Sequence, residues 1–244
     1  MGRAHEVRAA AMAKTAAAKS KLYSRYGKEL YIAAKSGVPD PDMNLSLARK
    51  IKEAKANQIP ADVIKRAIEK AKGGTEENYQ TCRYEGFGPG SSTVIVDCLT
   101  DNVNRTYTAV KTVFNKCRGA KLAAQGSVSY NYSEVGLFEL DYQDDEKMLD
   151  ALANAEVDVQ DIAVADDGEM TVKVPKTDFA KAQDAIEKMI PGVEFDTCEI
   201  TMLPAEWTSL STDEDKEGLK KLLDMLDECD DVNSVYTNVK EAQA

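Results

Sequence analysis

Between Gly136 and Pro204 the sequence switches repeatedly between alternating and helical periodicity, and the order of the switches leaves few folds open. GLFELDY alternates as a strand, DDEKMLDALANAE reads as a helix, and DIAVA and MTVKV are strands parted by the turn DDGE. DFAKAQDAIEKMI is again helical and EFDTCEITMLP again a strand. The β-α-β-β-α-β order predicts a ferredoxin-like unit of about 70 residues. The tail then supplies a helix, DEDKEGLKKLLDMLDEC, and a strand, VNSVYTNV. That last strand needs a sheet, and the nearest incomplete one contains TVIVDCLT, Thr93 to Thr100. The pattern therefore predicts an α/β chain, α+β multidomain in organisation. A helical unit spans 1–78, a discontinuous α/β unit 79–133 plus 206–244, and the inserted ferredoxin-like unit 134–205.

The first third reads as three helices. KTAAAKSKLYSRYGKELYIAAK, Lys14 to Lys35, is rich in helix formers, and SGVPDPDMN breaks it. Asp42 or Asn44 is placed to cap LSLARKIKEAKANQ. The third helix, ADVIKRAIEKAKGG, follows Pro60, carries Asp62 in its first turn and stops at Gly73. Beyond TVIVDCLT a fourth helix, DNVNRTYTAVKTVFNKCRG, is entered through Asp101, Asn102 or Asn104, and GSVSYNY alternates as a strand.

The formal net charge of −11 conceals a segregation. Residues 1–72 carry 16 Lys/Arg against 7 Asp/Glu, a net +9, whereas the other 172 carry 15 against 35, a net −20. A basic module attached to acidic ones fits a partner that is a polyanion, because each neutralised phosphate releases condensed counterions. On the first helix Lys14, Lys21, Arg25, Lys28 and Lys35 share one side, and Tyr23, Tyr26 and Leu30 lie opposite. The apolar stripe is expected to pack on the helical unit and the basic one to stay free. Tyr31 lies off the apolar stripe and reads as a partly buried core residue rather than a stacking platform.

Several function classes recede on the same reading. EGFGPG, comprising Glu85, Gly86, Phe87, Gly88, Pro89 and Gly90, resembles a phosphate loop, but its glycines lead into a strand instead of a helix. It is expected to be a tight turn or the wall of an interdomain cleft. The single histidine, His5, lies near a terminus, which disfavours His-dependent nucleophilic catalysis. The five cysteines include no CxxC pair, and the acidic pairs Asp144–Asp145, Asp166–Asp167 and Asp230–Asp231 lack metal-loop spacing. No metal, cofactor, small-molecule substrate or enzymatic activity is expected. Without a long apolar run or a secretory h-region, the expected location is cytoplasmic and away from membranes.

Three stretches together resemble the YebC/PmpR family: EGFGPG followed by LTDNVNRT (99–106), NQIPADVIKRAIEKAKGG (57–74), and the terminal VYTNV (235–239). The opening GRAHEVRAA differs from the GHSKW of the commonest members and resembles a second branch. The resemblance implies a three-domain α/β protein that is not an enzyme and has a cleft between domains. Members include DNA-binding transcriptional regulators and ribosome-associated factors that aid translation through difficult, proline-rich sequences. The expected function is thus a non-catalytic, nucleic-acid-binding gene-expression factor, a DNA-binding transcriptional regulator. A translation factor on the ribosome that binds ribosomal or transfer RNA is the alternative. Expected phosphate contacts are Arg3, Arg8, Lys14, Lys21, Arg25, Lys28, Arg49, Lys50 and Lys52, with Arg105 at the start of the fourth helix. Arg105 opposes the dipole there unless an anion or an acidic partner sits beside it.

Overall fold

The computed structural model describes residues 3–73, 77–166 and 168–240, with side chains described from residue 19 onward. Three helices come first: α1 (Arg3–Lys35), α2 (Leu45–Ala56) and α3 (Ala61–Lys72). Asn44, not Asp42, caps α2, its Oδ1 accepting from Leu47 N at 3.1 Å. The same side chain donates to Ala33 O (2.8 Å) and Val38 O (3.1 Å), so one buried amide ties the end of α1 to the start of α2. Tyr26, Leu30 and Tyr31 from α1 pack with Leu47, Ala54, Ile64, Ala67 and Ala71. Tyr31 is fully in this core at 3% exposure, too deep to stack on a base.

Two four-stranded antiparallel sheets follow. The first is ordered β3-β1-β2-β8, from β1 (Gln80–Phe87), β2 (Thr93–Thr100), β3 (Lys121–Ala123) and β8 (Val232–Thr237). EGFGPG is therefore the end and turn of a hairpin: strand β1 precedes it, which the sequence pattern did not reveal, and strand β2 follows. GSVSYNY is not a strand. It forms turns and a short 3-10 helix, and the next strand, β4 (Tyr132–Asp141), begins only at Tyr132. The reason is a buried carboxylate that claims the backbone N–H groups of that loop, as described below.

The second sheet is ordered β5-β6-β4-β7, adding β5 (Asp161–Val164), β6 (Glu169–Pro175) and β7 (Thr197–Pro204). With α5 (Asp145–Asn154) and α6 (Phe179–Met189) on one face, this is the ferredoxin-like arrangement. Phe138, Leu140, Met170 and Val172 from the sheet meet Met148, Leu152, Ala182 and Ile186 from the helices.

β8 completes the first sheet after the second has been built, so the ferredoxin-like unit sits within the sequence of another. α4 (Val103–Lys116) and α7 (Asp213–Asp227) cover that first sheet. Period two decides which side chains they meet: Val94, Val96 and Cys98 face Val113, Phe114, Leu219 and Leu222, whereas Ile95 points the other way. There it joins Tyr132 and Met202, bridging the two sheets with apolar contact. Each fully buried side chain of this kind stabilises by about 1.5–3 kcal/mol. No such cluster joins the three-helix head to any residue beyond Tyr79 among the described residues.

Candidate nucleic-acid interface

The basic side of α1 is not open to solvent at its centre. Lys21 Nζ sits 2.8 Å from Asp227 Oδ1, at the C-terminus of α7, and also donates to the Asp227 carbonyl. Lys28 Nζ reaches Asp231 Oδ1 at 3.1 Å together with the carbonyl oxygens of Leu99 (3.0 Å) and Asp230 (3.2 Å). Between them Arg25 donates from Nη1 to Asn233 O at 3.3 Å, and its Nε lies 3.4 Å from Glu29 Oε1. That contact supplies charge but no hydrogen bond: Arg25 Nε is buried without a partner. The free basic face expected from helical periodicity is thus occupied at these three positions by the chain's own acidic part. Periodicity places a side chain on a face but does not say what covers the face.

Asp231 is the hub of this contact. It accepts from Arg105 Nη2 (2.8 Å) and Thr106 Oγ1 (2.9 Å) as well as from Lys28. Burial opposes its ionisation, yet hydrogen bonds from Arg105, Lys28 and Thr106 hold its carboxyl below the usual range. Asp231 and Asp101 together raise the pKa of Arg105, which also pairs with Asp101 at 2.7 Å. The acidic partner that excuses an arginine at the start of α4 therefore comes from the same chain. Asn102 is the actual cap, its Oδ1 accepting from Arg105 N at 3.0 Å.

A second contact joins α2 to α6. Arg49 pairs with Asp184 at 2.8 Å and Lys52 with Glu187 at 2.6 Å, so two cations three residues apart meet two carboxylates three residues apart. Lys50 turns inward instead, pairing with Glu29 (3.1 Å) and Glu53 (2.7 Å) within the head. Burial lowers its pKa, but the two glutamates more than compensate and the net shift is upward. The side chains of Arg3, Arg8 and Lys14 lie outside the described residues, although their backbone belongs to α1.

Between these contacts lies a cavity of about 750 Å³ bordered by the head and both sheets. Arg25, Lys50 and Glu53 line it from the head, Glu199 from β7, and Asp227 and Tyr236 from the first unit. Burial raises the pKa of Glu199; Arg25 opposes the rise, and Glu53 and Glu139 add to it. EGFGPG does not border this cavity. Glu85 is 1% exposed and accepts from the N–H groups of Gly126 (2.8 Å), Val128 (2.6 Å) and Ser129 (2.9 Å). Pro89 packs against Gly218 of α7, and Gly90 takes φ +62°, which an L side chain rarely adopts. Only Phe87, Gly90 and the following Ser91 are exposed in this turn. Asn238 of VYTNV staples it, accepting from Thr93 N at 2.8 Å and donating to Ser91 O at 3.3 Å.

Lys19, Lys55, Lys65 and Lys72 are exposed and make no ion pair among the described residues. Helical spacing could have found the pair on α3, since Lys65 and Lys72 lie seven residues apart on its solvent side. Among the described residues no group of three or more His, Cys, Asp or Glu is placed to hold a metal ion, and no helix is long and apolar enough to cross a membrane. Burial pushes the Cys198 thiol up to about 12, and Cys98 is raised for the same reason, so neither is an activated thiolate.

A cationic three-helix head is thus held by polar contacts against two acidic α+β units. The chain belongs to the TACO1/YebC family. Residues 3–74 match the TACO1/YebC protein N-terminal domain, and 79–239 match the TACO1/YebC second and third domain. A "Probable transcriptional regulatory protein" of Alteromonas mediterranea is 50% identical over 238 residues, covering 98% of each chain. A relative of the same description from Vibrio atlanticus is 50% identical over 240 residues, covering 98% of this chain and all of its own. The crystal structure of a conserved hypothetical protein from Aquifex aeolicus superposes with a TM-score of 0.73 at 30% identity, covering 91% of this chain and 90% of that one.

Proposed function

We propose that this chain is a non-catalytic regulator of gene expression that binds duplex DNA in the cytoplasm through phosphate contacts of its head. Its units are 1–78, 79–133 with 206–244, and 134–205. The observation that carries the reading is the segregation of charge, +9 in residues 1–72 against −20 in the rest. The Lys21, Arg25 and Lys28 side chains lie along one side of a helix, with carboxylates and carbonyl oxygens already seated on them. Groups that hold carboxylates in this geometry can hold phosphate oxygens in the same way. The descriptions of the curated relatives as probable transcriptional regulatory proteins support the same reading. Arg3, Arg8, Lys14, Arg49, Lys52 and Arg105 extend the surface; Lys50 serves mainly to neutralise Glu29 and Glu53.

The binding mode is local and tolerant of sequence, because phosphate contacts carry no base information. Binding of duplexes of unrelated sequence across a salt series tests it. Changing Lys21, Arg25 and Lys28 together to Ala should weaken all of them alike and flatten the log-log salt slope by roughly 2 to 3. An unchanged slope would remove these residues from the interface. Crosslinking in cells followed by sequencing should recover genomic DNA, and enrichment at discrete sites upstream of genes would add base contacts to this tolerant mode. Recovery of ribosomal or transfer RNA at fixed positions would instead make the protein a translation factor.

A further inference from the structure

The cations proposed to grip phosphate are the same ones that hold the molecule closed. We infer that the acidic units act as a built-in competitor for the head: α6 and the α7-β8 junction occupy its basic surface, and DNA binds only as these contacts are released. This inference rests on the DNA-binding reading above and adds regulation to it.

Three observations carry it. First, the head meets the rest of the chain through charge. Lys21–Asp227, Lys28–Asp231, Arg49–Asp184 and Lys52–Glu187 cross the junction, and no apolar cluster does so among the described residues beyond Tyr79. The two sheets, by contrast, are joined by Ile95, Tyr132 and Met202. A junction without an apolar cluster is open to weakening by salt and by competing anions, above all at its solvent-exposed pairs Arg49–Asp184 and Lys52–Glu187, because exposed ion pairs contribute little and are screened.

Second, the acidic side imitates a phosphate backbone. Around the C-terminus of α7, the Asp227 and Asp231 carboxylates and the carbonyl oxygens of Asp227, Asp230 and Asn233 all point at Lys21, Arg25 and Lys28. The negative end of the helix dipole adds to them. Third, the fit is incomplete. Arg25 Nε is buried with no hydrogen-bond partner, so the closed state leaves a guanidinium donor unused that a phosphate oxygen could satisfy once the junction opens.

The α2-α6 contact is the place to test this, because its acids, Asp184 and Glu187, are not part of the proposed DNA surface. The full-length D184N/E187Q variant is compared with wild type and with a charge-matched control, E194Q/E217Q, whose carboxylates are exposed and contact no head residue in the described structure. Duplex DNA binding is measured by anisotropy, and the radius of gyration by small-angle scattering at low and high salt. Opening removes a population penalty, so the variant should bind about twofold to thirtyfold more tightly than the control, the range for two exposed ion pairs. Wild type should expand near 1 M salt, where the Debye length falls to about 3 Å, and the variant should expand at a lower salt concentration than wild type.

An affinity gain no greater than the control's would overturn the inference. If no protein binds DNA, the DNA-binding reading fails and scattering decides the closed junction alone. A radius independent of salt and of the variant overturns that too.

Discussion

Glu85 offers a sharp test of how this fold is held, since it is a charged side chain with 1% exposure and no ion pair among the described residues. Its two oxygens accept from three backbone N–H groups, Oε1 from Gly126 and Oε2 from Val128 and Ser129. Glu85→Gln keeps the shape and one acceptor. With its oxygen turned to Val128 and Ser129, the new amide faces the Gly126 N–H donor to donor. Charge assistance is lost from all three bonds. Leaving a buried donor unsatisfied costs about 1–3 kcal/mol, and weakening two charge-assisted bonds adds to that, so a loss of roughly 2–4 kcal/mol is expected at neutral pH. In a chain of this size that corresponds to a melting temperature lower by about 4–16 °C. The pH dependence gives an independent reading. Burial raises the Glu85 pKa, but the bonds from Gly126, Ser129 and Val128 outweigh it and the folded-state value is depressed. Its contribution is therefore fully present above the unfolded-state value of about 4.3 and is lost as pH falls through the lower folded-state value. Urea unfolding of wild type and variant from pH 7 down to pH 3 should show their difference shrinking in that window. A variant as stable as wild type at pH 7, with the same pH profile, would refute the account of why residues 126–129 form turns and not a strand.

Gly86→Ala should be more damaging than most glycine substitutions, because a Cβ there would lie 2.3 Å from Phe114 Cε1 and 2.9 Å from the Lys121 carbonyl oxygen. Overpacking of about 1–3 kcal/mol is expected, read as a lower urea midpoint with an unchanged slope. Asn44→Ala removes the α2 cap, leaves Val38 O without its donor and leaves Ala33 O to the Ser36 hydroxyl, a loss of about 1–3 kcal/mol checked by thermal unfolding. Asp231→Asn should loosen the junction by about 1–3 kcal/mol at pH 7, seen as faster hydrogen exchange where α1 meets α7. Because its carboxyl is held below the usual range, wild type should approach the variant as pH falls below about 3.9.

Much of the architecture could be read from local pattern. The Gly136–Pro204 periodicities correspond to β4 through β7 with α5 and α6 in the expected order, and the terminal VNSVYTNV does join the sheet of TVIVDCLT. Misses occurred where a distant group overrode local preference. GSVSYNY alternates, but Glu85, more than forty residues earlier, takes its N–H groups. β1 is not legible in the sequence because QTCRYEGF mixes polar and apolar residues without clean alternation, and its pairing with β2 and β3 supplies the order. The motifs that carry the family resemblance proved to be largely structural: Glu85, Asn102 and Asn238 each spend their side chains on backbone groups.

The sequence by itself determined the helices and most strands, the segregation of charge and the side of α1 on which the cations stand, since these follow from the short-range geometry of the chain. Only the tertiary structure decided what those cations touch. Lys21 and Asp227 are 206 residues apart, and no periodicity couples them. Coulomb attraction acts through space, so the identity of a charge's partner is fixed by folding and not by spacing along the chain.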